Sequence, residues 1–127
     1  PTSFDQISAR ADNPARLAAA GVTLGIVNEG THNAARLRQE VANAIVDGLP
    51  RDIALKAVTM NPARMLGVND GTGTLAAGAP ATLVVWSGDP FALSSRAERV
   101  FIDGQEVGIE TRQTLLLKRY RTLRGAQ

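Results

Sequence analysis

The stretch VTLGIVNEGTHN, Val22 to Asn33, decides how this chain is read. A short β-rich run ends in an amide, a carboxylate, a glycine and the only histidine of the sequence, at a point where a helix can begin. Val22 to Val27 is apolar, brief and rich in β-branched residues, so a buried strand is predicted there. On its N-terminal side, DNPARLAAAG offers Asn13 as an N-cap, Pro14 at the first helical position and Gly21 as the stop of a short helix. On its C-terminal side, Asn33 to Asp47 sets Leu37, Val41, Ala44 and Ile45 on one face and Arg36, Gln39, Glu40, Asn43 and Asp47 around the other. That helix stops at Gly48. Helix, turn, strand, helix is the order of an α/β unit.

The whole sequence is compatible with that unit. A chain of 127 residues with 44% hydrophobic and 20% charged residues has the size and composition of one folded domain. No apolar run is long enough to cross a bilayer, so a soluble chain without a membrane role is expected. With no cysteine there is neither a disulfide framework nor a thiolate nucleophile. This leaves cytoplasm and periplasm equally open. The first residue is Pro1 and no basic segment followed by an apolar one comes after it, so any start codon or signal segment is expected to lie outside this chain, as in a fragment or a processed product.

Further along, a helix over roughly Arg51 to Thr59 is predicted to bury Ile53, Leu55 and Val58, and to hand over to another across NPARMLG, Asn61 to Gly67. The repeat of NPAR at both sites reads as shared capping chemistry. Beyond Gly67 the glycine-rich GVNDGTGTLAAGAPA has little periodicity and reads as a crossing loop. TLVVWSG and RVFIDGQEV then give short strands, with Asp103-Gly104 favouring a tight hairpin turn. So few strands make a weak sheet with open edges, so partner strands from elsewhere are expected. From Arg112 the tail carries Arg112, Lys118, Arg119, Arg121 and Arg124 without an acid. Leu116, Tyr120 and Leu123 fall at helical spacing and would dock as one stripe, leaving the arginines solvated. Nucleic acid is therefore not the expected partner.

The linked phrases AGVTLGIVNEG, ALKAVTMNPARMLGV, GTGTLAAGAPATLVVWSGDPF and VFIDGQEV, covering about Asn13 to Val107, resemble the C-terminal part of the amidohydrolase superfamily, particularly its imidazolonepropionase-like and prolidase-like members. The resemblance implies an α/β fold: the end of a (β/α)8 barrel over residues 1–67, with Val22 to Val27 as the last barrel strand. Strands of a composite β-sandwich follow over 68–108, and a basic C-terminal helix over 109–127. It also implies hydrolysis of an amide, peptide or cyclic amide C–N bond, with zinc or another divalent metal in a complete family member.

In such barrels the reacting groups gather at the C-terminal ends of strands, where Asn28 and Glu29 would stand. The family commonly has Gly-Thr-Asp or Gly-Ser-Asp there, its aspartate ligating metal and shuttling a proton; this chain reads Val27-Asn28-Glu29. The extra methylene displaces the carboxylate on a scale that costs about 100-fold in rate. Glu29 is thus either a replacement proton carrier or a rim carboxylate favoured by the following helix dipole. His32 either lines the substrate mouth, with Asn28 and Asn33, or bonds backbone at a helix start. One histidine and one glutamate fall short of the three protein ligands of a catalytic zinc. The two-histidine motif of the family's first strand has no counterpart here.

No complete metal site, no bound cofactor and no independent activity are therefore expected of the chain by itself. Completion by a missing barrel segment, or self-association, is expected instead. The competing reading is a non-catalytic, degenerate module acting in self-association or partner binding. Ser87, Ser94 and Ser95 have no nearby base and no Gly-x-Ser-x-Gly elbow, and GTGTLAAG lacks the ending of a phosphate loop. Thr82 stands where the family usually has an aspartate, which weakens a local turn without removing chemistry.

Overall fold

The computed structural model describes residues 10–28 and 36–124. Four helices come first: α1 (Asn13–Ala19), α2 (Arg36–Val46), α3 (Arg51–Ala57) and α4 (Met60–Met65). Three strands follow, β1 (Leu83–Trp86), β2 (Ala97–Ile102) and β3 (Gln105–Val107), and then α5 (Arg112–Arg124). The chain is thus mixed α/β with a small antiparallel sheet in the order β1-β2-β3.

The helix ends follow the sequence closely. After α1, the Gly21 N–H reaches Ala18 O at 2.9 Å and the Val22 N–H reaches Leu17 O at 3.0 Å. The same pair of bonds closes α2 at Gly48 and Leu49 and α4 at Gly67 and Val68. Each pair satisfies two carbonyls that the helix end would otherwise leave open. At the start of α1 the expectation is off by one residue. Asn13 lies inside the helix and Asp12 takes the N-cap position without a capping bond. Its two carboxylate oxygens are instead held by the Arg10 guanidinium at 2.8 and 2.9 Å.

The predicted face of α2 is the buried one. Val41 and Ala44 join Leu49, Ala54 and Phe91 in the core, with Leu37 and Ile45 packed against it. The face of α3 differs from expectation: Ala54 and Ala57 are buried, Ile53 and Val58 are half-buried, and Leu55 is exposed. Small alanines let α3 approach its neighbours closely, which turns Leu55 outward beside the exposed Asp52–Lys56 pair. The helix also ends two residues early, because Val58 and Thr59 leave helical geometry before α4 begins.

Val22 to Val27 corrects the strand prediction. The segment forms no strand, and Val27 is 74% exposed. β-rich composition makes a strand only when another strand answers its backbone, and none among the described residues does so.

The sheet matches its sequence signals. Val100, Phe101 and Ile102 pair with Val107, Glu106 and Gln105, and the two-residue connection Asp103-Gly104 has φ of 49° and 79°. Two positive φ values are the mark of the hairpin turn whose twist suits the flanking strands. Thr82 supports this turn: its hydroxyl oxygen accepts the Asp103 N–H at 3.2 Å, while Ala81 O accepts that of Gly104 at 3.0 Å.

Sheet and helices are tied by the loop after β1. Arg38 on α2 donates to the carbonyls of Pro90, Ala92 and Ser95 at 2.6, 2.9 and 3.0 Å, and its guanidinium lies 4.3 Å from the Trp86 ring centroid. Arg51 at the start of α3 pairs with Asp89. Phe91 between them enters the helical core. By contrast, α5 buries none of its described side chains. Leu116 and Tyr120 of the expected docking stripe are exposed, and the Leu123 side chain lies outside the described ones.

Candidate active site

Of the residues singled out in the sequence, Asn28 is described and Glu29, His32 and Asn33 lie outside the described residues. Asn28 is half-buried at the end of the stretch that follows α1. What fixes that stretch is α3 and α4. The Asn61 side-chain amide donates to Leu24 O at 2.8 Å, and the Ile26 N–H donates to Ala57 O at 2.9 Å. Between these bonds, a Cβ added at Gly25 would stand 3.1 Å from Met65 Sδ and 3.9 Å from Pro62 Cγ. Leu24 and Ile26 also pack against the buried core. Backbone that lacks a sheet partner is thus held by helices up to two residues before Asn28.

Asn61 was legible only as a helix-boundary residue. It lies inside α4, it is buried, and its amide serves the Leu24 backbone rather than a cap. The available signal was an amide set beside the apolar positions of a helical stretch, a group that needs a partner when buried.

Among the described residues no three His, Cys, Asp or Glu side chains gather to hold a metal ion. The described carboxylates with displaced pKa values serve local structure. Asp89 is held below the ordinary carboxylate value first by its bond from Arg51 and then by the Phe91 N–H. Asp70 is lowered by the Thr72 hydroxyl and backbone N–H, which close the turn of the crossing loop. The serines are structural as well: Ser87 Oγ accepts the Arg96 N–H at 3.1 Å, and Ser95 is buried with its carbonyl on Arg38.

The comparisons agree with this geometry. The family model described as "Amidohydrolase family" matches residues 3–107, most of the chain. The chain belongs to the amidohydrolase family. A solved amidohydrolase from Thermotoga maritima MSB8 is similar, with a TM-score of 0.76 and 35% identity over 84% of this chain. A second solved amidohydrolase, 22% identical with a TM-score of 0.66, shares the fold over the same fraction. "Amidohydrolase tasK" of Hapsidospora irregularis is 39% identical over 72 residues, or 57% of this chain. The chain spans 28% of each of the two solved chains and 7% of the curated relative. Members of this family generally depend on a metal.

Proposed function

We propose that this chain supplies the C-terminal part of a metal-dependent amidohydrolase of imidazolonepropionase-like or prolidase-like type. The whole enzyme hydrolyses the C–N bond of an amide, peptide or cyclic amide. The observation that carries the reading is the stretch Leu24 to Ile26, which belongs to no sheet here yet is held by α3 and α4 just before Asn28. In this reading the stretch becomes the last barrel strand once neighbours contributed by another part of the protein answer its backbone, and its fixed placement supports that.

In this reading residues 1–67 close the barrel, 68–108 are the returning strands of a composite sandwich, and 109–127 form an appended basic helix. The missing barrel segment is the main partner and also brings most of the metal ligands. A divalent metal, when bound by the complete set, supplies activation of the hydrolytic water. Within this chain Glu29 accepts and returns a proton at its carboxylate, and Asn28, His32 and Asn33 line the substrate mouth. Val84, Val85 and Ile102 are exposed on the sheet, and the rest of the sandwich covers them.

The test begins with denaturing and native mass spectrometry of the longest natural polypeptide carrying this sequence. Metal content and hydrolysis of dipeptides, acyl amino acids and cyclic amides are then measured. The expected result is metal-dependent hydrolysis that falls about 100-fold or more in Glu29→Gln, with the metal retained. A metal-loaded polypeptide that hydrolyses none of these sinks the proposal. So does a chain that occurs alone as a defined oligomer without metal, which would return the non-catalytic module as the reading.

A further inference from the structure

We infer that Asn61 is a positioning residue for this site: its buried amide grips the backbone at Leu24 and thereby sets the placement of the stretch that ends at Asn28. The inference rests on the hydrolase reading above. Asn61 retains 9% of its exposure, and its Nδ2 lies 2.8 Å from an oxygen 37 residues away in sequence. It does not cap its own helix, since Thr59 occupies the N-cap position of α4. Asparagine is a poor helix former, and an amide buried without a partner costs free energy. The bond to Leu24 O accounts for its presence.

The grip has three sides on three consecutive residues. Asn61 takes the carbonyl of Leu24, Ala57 takes the N–H of Ile26, and Met65 and Pro62 close over Gly25. No sheet bond among the described residues shares the load. Val27 beyond Ile26 is mostly exposed, and the grip fixes the backbone up to two residues before Asn28. Removing the Asn61 donor leaves Leu24 O unpaired and the segment free to shift. A displacement of about 1 Å near reacting groups costs about 100-fold in rate.

The test uses Asn61→Asp and Asn61→Leu in the longest natural polypeptide, loaded with its metal. Asn61→Asp keeps the shape but sets a carboxylate against a carbonyl; Asn61→Leu keeps approximate volume without any donor. Expected are amide hydrogen exchange at Ile26 accelerated about 10-fold or more, and kcat lowered about 100-fold with KM and metal content unchanged. Gly25→Ala, which pushes the same backbone against Met65, serves as the second variant if the Asn61 variants do not fold, and it should lower kcat with KM unchanged. Faster exchange with unchanged kcat overturns the positioning role. Unchanged exchange at Ile26 overturns the grip itself. A wild-type polypeptide inactive on every substrate overturns the hydrolase reading, whereas the exchange result decides the grip independently.

Discussion

At Gly73 a single methyl group has no room. An added Cβ would fall 2.6 Å from Met60 N and from the Thr59 carbonyl carbon, and 2.7 Å from Thr59 O, all of them backbone atoms. The crossing loop therefore lies directly on the break between α3 and α4, the place that also presents Asn61 and Ala57. Gly78, in the same loop, has a similar φ of +85° but nothing within 4 Å of such a Cβ. Gly78→Ala should cost about 1 kcal/mol, from backbone strain alone. Gly73→Ala should cost about 3 kcal/mol or more, because strain and overlap act together. Urea unfolding of the two variants measures the difference, and equal losses would refute the close approach. The glycine-rich composition was readable as a loop, but not which of its glycines touches the helices.

Among the elements, α2 and the loop after β1 act as one joint. The planar Arg38 guanidinium reaches three carbonyls and stacks over Trp86, a geometry that a lysine ammonium cannot reproduce. Arg38→Met should destabilise the protein by about 2–4 kcal/mol, since it removes charge-assisted bonds and leaves carbonyls unpaired. Arg38→Lys should recover less than half of that loss, as read by urea or thermal unfolding. The sequence placed Arg36 on the solvated face of α2 and left Arg38 without a role, because its partners lie 52 to 57 residues away. The last element behaves in the opposite way. Leu115, Leu116, Leu117 and Tyr120 are all exposed, so α5 buries none of its described side chains. Truncation after Glu110 should move unfolding free energy by less than about 0.5 kcal/mol, while the helical circular dichroism signal falls. A loss above about 1 kcal/mol would mean that α5 packs on the body.

Over the whole molecule, the ion pairs among the described residues are exposed ones. Asp12, Asp52 and Glu106 are held below their ordinary values chiefly by hydrogen bonds from Arg10, Lys56 and Arg99, and Asp89 by Arg51. Depressed carboxylate values mean that the unfolded chain binds more protons in acid. The stabilisation is therefore complete above the ordinary carboxylate range and is lost as pH falls through the lower folded values, below about pH 4. Unfolding free energy should stay nearly flat from neutral pH to about pH 5 and decline below it, with a shallow slope because water and salt screen such pairs. Urea titrations at stepped pH check this. A decline that begins near neutrality would point to a different titrating group.

The sequence by itself determined what neighbours in the chain decide. The stops at Gly21, Gly48 and Gly67, the Asp103-Gly104 turn and the core stripe of α2 depend on residues a few positions apart. The linked family phrases identified the family and, through the resemblance, offered Asn28, Glu29, His32 and Asn33 as candidates for the site. Only the tertiary structure decided that Val22 to Val27 lacks a strand partner here, that Ala54 and Ala57 rather than Leu55 face inward, and that Asn61 and Arg38 join distant segments. A strand exists only where another backbone answers its hydrogen bonds, and a buried amide or guanidinium takes its meaning from acceptors far along the chain.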